Sequence, residues 1–145
     1  MMSIAETLEG LRDCAIFRSV DAAALKLAVL TGEQLRYYGD EVLFRQDEPG
    51  DSVFILLAGR VEVVRQDEDA GEERLIVHLA RGDLVGELSL LCNAPRNATV
   101  RALEPVTALR IPRQTFLSLL SDRPEIALAL CNLLAMRLRR TTEQF

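Results

Sequence analysis

The 145-residue chain has no tryptophan, one histidine, three cysteines and only 5% aromatic residues. No apolar run reaches the roughly 18 residues needed to cross a bilayer. The longest candidate, Ile126 to Met136, is interrupted by Asn132 and followed by Arg137. The opening MMSIAETLEG has neither a basic region nor an apolar signal core, so a bacterial-type cytosol is the expected location and no membrane is an expected partner. Cys14, Cys92 and Cys131 form no Cys-x-x-Cys pair and are odd in number; they read as reduced thiols, mostly buried as small apolar residues. A metal or iron–sulfur site wants clustered Cys or His, and His78 stands alone, so no metal and no cofactor are expected. Basic excess is also lacking. The formal net charge is -5, whereas a free-standing nucleic-acid binder is usually basic. The one basic cluster, Arg137, Arg139 and Arg140, has the spacing of a solvated helix face.

What is present is apolar content sufficient for a core. Hydrophobic residues make up 49% of the chain, which argues against disorder and fits one domain. Ile4, Leu8, Leu11 and Ala15 recur at helical spacing. Ser19-Val20-Asp21 offers cap chemistry before Ala22–Leu30, a run of good helix formers. From Gln34 to about Ile111 the texture changes to short apolar runs separated by Gly, Asp, Pro and Asn. Val42–Phe44, Val53–Leu57, the alternation around Val61 and Val63, Leu75–Leu79, Thr99–Ala102 and Thr107–Ile111 are predicted strands. After Pro112 the helical period returns, in Gln114–Leu120 and then in a long helix from Glu125 to about Gln144, with Pro124 at its first turn. The predicted fold is mainly β with flanking helices (α+β). A jelly-roll-like β-roll of about eight strands over 34–111 is flanked by a helical part over 1–31 and C-terminal helices over 114–144, all in one domain.

The stretch from Gly82 to Val100 carries the chemistry. Gly86 opens a short apolar turn of helix, and a loop with Pro95 and Arg96 returns to a strand. Glycine lets a ligand approach the backbone. A helix start offers unpaired N–H groups to an anion. Arg96 supplies a planar fork for two phosphate oxygens. Glu87 cannot serve a phosphate but suits a sugar hydroxyl. The same residues equally describe a turn glycine beside a surface Glu87–Arg96 salt bridge, and residue chemistry alone leaves both readings standing.

The segments Gly86-Glu87-Leu88-Ser89 and Pro95-Arg96-Asn97-Ala98-Thr99-Val100 resemble the phosphate-binding cassette of the cyclic-nucleotide-binding domain family. That family includes the catabolite activator protein and the protein kinase A regulatory subunit. Gly39, Gly50, Gly59, Gly82 and Asp83 fall at the family's turn positions, and Asp47 stands where glycine is common. The resemblance implies that Arg96 binds the cyclic phosphate and that Glu87 accepts from the ribose 2′-hydroxyl. Gly86 and Leu88 would offer backbone, Ser89 the cassette's small position, and Asn97 and Ala98 backbone N–H groups to the phosphate. Val63, Val77 and Leu79 would wall the base. The long helix would act as a lid: Arg137 matches a base-capping arginine, Thr141 and Thr142 a pair that reaches the adenine, and Leu138 a position near a dimer seam. Ala127, Cys131, Leu134, Leu138 and Thr141 have the alternating spacing of a coiled coil, so a homodimer through this helix is expected; the same face could instead pack on the chain's own β-roll.

The implied ligand is cAMP, with cGMP second, because the hydroxyl that often favours guanine is absent at Asn97. A sensor with a protein effector is expected rather than an enzyme, since Ser89 has no partner base. A redox sensor would need an N-terminal cysteine cluster, and a haem sensor an axial ligand; His78 reads as an ordinary strand residue. No helix-turn-helix follows the long helix, so direct DNA binding by this chain is not expected. Two further origins fit the same residues: part of a transcription regulator of the Crp/Fnr type, or a regulatory fragment of a transporter, channel or enzyme.

Overall fold

The computed structural model describes residues 1–67, 69 and 71–143, with the side chains of 141–143 excepted. The N-terminal part holds α1 (Ile4–Arg12), a 3-10 turn (Ala15–Phe17) and α2 (Ala22–Thr31). Eight strands follow: β1 (Glu33–Tyr37), β2 (Val42–Phe44), β3 (Ser52–Ala58), β4 (Arg60–Gln66), β5 (Glu73–Ala80), β6 (Leu84–Val85), β7 (Thr99–Ala102) and β8 (Val106–Pro112). The short helix α3 (Glu87–Leu91) lies between β6 and β7, and α4 (Arg113–Asp122) and α5 (Pro124–Glu143) close the chain. The predicted end of α5 at Gln144 lies outside the described residues.

The strands form two antiparallel four-stranded sheets, in the orders β1-β8-β3-β6 and β2-β7-β4-β5. β3 explains the architecture. Its six residues from Ser52 to Leu57 are all buried, because both of its faces are covered. Phe54 and Leu56 join Phe44, Val61, Val85 and Val100 in a core between the sheets. Val53, Ile55 and Leu57 point the other way, into a second core with Leu11, Phe17, Phe116, Ile126 and Leu130 from the helices. A strand buried on both faces reads as an unbroken apolar run, which is how this one appears in the sequence.

Ser3 and Glu6 form a reciprocal capping box that starts α1. Asp21 precedes α2 as expected, yet its side chain makes no cap bond there. It reaches the Arg123 Nε at 2.7 Å instead, tying α2 to the junction of α4 and α5. The cysteines depart from expectation. Only Cys14 is buried, and Cys92 and Cys131 are exposed, because Cys92 ends α3 at the surface and Cys131 lies on the outer side of α5. Burial pushes the Cys14 thiol up to about 11, which keeps it protonated and inert. Among the described residues no helix is long and apolar enough to cross a membrane.

Candidate functional site

The site is built where β6 turns into α3. Gly86 caps α3 in the left-handed conformation (φ 88°). A Cβ at this position would stand 2.6 Å from the Arg96 Nη1 and 3.2 Å from the Phe44 ring, so glycine is required by backbone and by crowding together. α3 has only five residues, so the one full positive charge beside Gly86 is that of Arg96.

Arg96 is buried at 3% exposure. Its backbone is fixed by two bonds to the preceding turn, Arg96 N to Glu48 O and Asp47 N to Arg96 O, both 2.8 Å. That turn uses Asp47 at φ 73°, the left-handed role the sequence suggests. The guanidinium sits 4.1 Å from the centre of the Phe44 ring. Its Nη1 donates to Gly86 O and Ser89 Oγ, each at 2.9 Å. Its Nη2 donates to Ser52 O at 2.8 Å and Ser52 Oγ at 3.3 Å. The Nε is buried and has no hydrogen-bond partner. Desolvation by burial pulls this guanidinium below its ordinary value, and the charge of Asp51 opposes that shift. Among the described residues no carboxylate lies within ion-pair reach of it.

Glu87 is also buried, at 3% exposure. It does not pair with Arg96, so the surface salt bridge that residue chemistry allowed is not formed. Arg137, reaching from α5, donates to the Glu87 carboxylate and, at 2.9 Å, to Leu84 O. These two charges therefore have different partners: Glu87 accepts from Arg137 on α5, and the hydrogen-bond partners of Arg96 are all neutral groups.

The remaining predicted residues spread around this centre. Ser89 is buried and spends its hydroxyl on Arg96 and on Gly86 O. Ala98 is buried, Asn97 is exposed and Leu88 is 43% exposed. On the sheet, Val63 lies opposite Val77, and Val61 opposite Leu79. Val63 and Leu79 pack on the inter-sheet core, while Val77 stays 39% exposed. The side chains of Thr141 and Thr142 lie outside the described residues. Phe44 and Ser52, both partners of Arg96, were not anticipated. Ser52 is 44 positions from Arg96 at the edge of a run that reads only as core strand, and no local signal marks either residue.

Residues 34–123 match the family described as cyclic nucleotide-binding domain, and the chain belongs to that family. It is 32% identical over 92% of its length to a CRP-like cAMP-activated global transcriptional regulator of Mycobacterium tuberculosis. It covers 59% of that regulator, so it spans about three fifths of this relative's length. Its structure resembles the catabolite activator protein of Thermus thermophilus with a TM-score of 0.80 and 29% identity, over 90% of this chain and 61% of that one. It also resembles the regulatory domain of Toxoplasma gondii PKA with cAMP, with a TM-score of 0.73 and 28% identity, over 80% and 44% of the two chains. The β-roll with flanking helices is the fold of these proteins.

Proposed function

From this family membership we propose that the chain is a regulatory module that binds a 3′,5′-cyclic nucleotide, cAMP in preference to cGMP, and reports it through α5. The observation that carries the reading is a buried cation without an anion. Burying a charge is costly unless it is paired. Arg96 has only neutral partners and one unbonded donor, Nε. A cyclic phosphate supplies the missing charge and acceptor in one group. Glu87, next to Gly86, supplies the acceptor that a ribose hydroxyl needs, and the inward face of β4 and β5 at Val63 and Leu79 supplies an apolar wall for a base.

Coupling to α5 follows from the Arg137–Glu87 bond. A ribose hydroxyl donating to Glu87 shares the carboxylate that anchors Arg137, so ligand and helix position become linked quantities. Leu128 and Leu138 are 70% and 68% exposed on α5, beside exposed Cys131. Of the expected seam, Cys131 and Leu138 are exposed, Ala127 is half-buried and Leu134 packs partly on the helical core, so the homodimer reading rests on the outer edge of this face. We read the chain as a cytoplasmic sensor with a protein effector and no catalytic step: the Ser89 hydroxyl is spent on Arg96, and His78 lies on β5 opposite Glu62. DNA binding, a cofactor and a metal form no part of this reading.

The test is a calorimetric titration with cAMP and cGMP, paired with hydrogen exchange over α5. Saturable binding of both, tighter for cAMP, with altered exchange in 131–143, is the expected result. Absence of binding by either nucleotide overturns the reading; equal affinities overturn the preference alone.

A further inference from the structure

We propose that Ser89 and Ser52 are positioning residues for Arg96, together setting its guanidinium so that Nε–H is the donor left for the phosphate. The proposal rests on the cyclic-nucleotide reading above and deepens it by naming what aims the phosphate-binding group.

An arginine has five N–H donors, one on Nε and four on the two terminal nitrogens. In this site the terminal nitrogens make four bonds, two by Nη1 and two by Nη2. One bond of each pair goes to a serine hydroxyl. A hydroxyl can donate or accept, so it orients a cation only if its own proton is committed elsewhere. Both are. Ser89 Oγ donates to Gly86 O at 3.3 Å, which leaves its lone pairs to Nη1. Ser52 Oγ donates to Asp51 Oδ1 at 3.1 Å, which leaves its lone pairs to Nη2. Asp51 in turn meets Arg110 at 3.4 Å, so its carboxylate is held from the far side.

Sterics keep the clamp in register. A Cβ at Gly50 would collide with the Ser89 side chain, so the turn before β3 presses directly on this serine and limits its rotamers. The Phe44 ring closes one face of the guanidinium. With one face covered and both terminal nitrogens engaged, the unbonded Nε–H is the donor the clamp leaves over. Every acceptor bonded to Arg96 is neutral, and Asp51, the carboxylate behind Ser52, makes no direct bond to it, so no acceptor in the clamp competes with an anion for a direct ion pair.

The test uses the whole chain labelled with nitrogen-15. The Arg96 Nε–H signal is assigned by its loss in Arg96→Lys. In the ligand-free parent this signal should exchange slowly with water and should shift on adding cAMP. Ser89→Ala and Ser52→Ala remove one clamp bond each. Each variant should keep the parent's amide spectrum, speed Nε–H exchange about ten-fold or more, and weaken cAMP binding by up to about ten-fold, since the clamp bond is present in the free protein and only the aim of the charge-assisted Nε–H bond is lost. Weaker binding with unchanged Nε–H exchange assigns the serines a general structural role and overturns the proposal. Unchanged exchange and unchanged affinity, with binding still lost in Arg96→Lys, overturns the clamp and leaves the cyclic-nucleotide reading standing. If the parent binds no cyclic nucleotide, the functional reading fails. Nε–H exchange in the free proteins then still decides the clamp, faster exchange in the variants supporting it and equal exchange refuting it.

Discussion

Gly86 shows how much one residue without a side chain can hold together. Its carbonyl accepts from Arg96 and Ser89, its positive φ starts α3, and the space where a Cβ would stand is filled by the Arg96 Nη1 and Phe44. Gly86→Ala therefore meets both a backbone penalty and a displaced guanidinium. The left-handed conformation alone costs an alanine about 1–2 kcal/mol. We expect a lower thermal midpoint for Gly86→Ala, read by circular dichroism, together with weaker cAMP binding read by calorimetry. A variant with the parent's midpoint and affinity would show that neither the turn nor the guanidinium depends on this glycine.

At the scale of elements, the junction of α2 with α4 and α5 turns on one exposed ion pair. The side-chain hydrogen bond from Arg123 holds the Asp21 carboxyl below its ordinary range. A carboxylate favoured by the fold contributes stability above its unfolded value of about 3.9 and loses it as pH falls through the lower folded value. Asp21→Asn should therefore reduce stability at neutral pH and flatten its decline on the acid side, as measured by thermal unfolding from neutral to acid pH. An unchanged acid limb would show that the pair contributes nothing. The elements also show what a sequence can reveal. Val53–Leu57 was legible because burial on both faces forces an unbroken apolar run, and Thr99–Ala102 because its faces alternate. β1 was hidden: in Glu33-Gln34-Leu35-Arg36-Tyr37 only Leu35 and Tyr37 pack on the inter-sheet core, both half-buried, and two positions are too few to mark a strand. β6 has two residues, too few for any period. In the site, Gly86, Glu87 and Arg96 were legible because their cassette is contiguous. Arg137 was singled out only through the resemblance, as a base-capping residue, and its bond to Glu87 spans 50 positions, so no local signal announced that contact. Ser52 and Phe44 were invisible because only the folding of β2 and β3 beside α3 brings them to Arg96.

For the whole molecule, the proposed function joins the buried charge of Arg96 to the position of α5. Arg137 fastens α5 to the cassette through Glu87 and the Leu84 carbonyl, while Ile126 and Leu130 root the start of the same helix in the helical core. α5 thus has an apolar root and a polar latch at the start of α3. If its outer side is a dimer seam, Leu138→Glu places a charge there; sedimentation should then give a dimer for the parent and a folded monomer for the variant. A parent that stays monomeric at high concentration, with and without cAMP, removes the dimer. The most direct test of the central claim is one calorimetric comparison, cAMP titrated into the parent and into Arg96→Ala. Charge-assisted bonds contribute about 1.5–3 kcal/mol each. Saturable binding by the parent and a loss of about ten-fold to several hundred-fold in the variant are therefore expected. Equal cAMP affinity in the two proteins would contradict the claim.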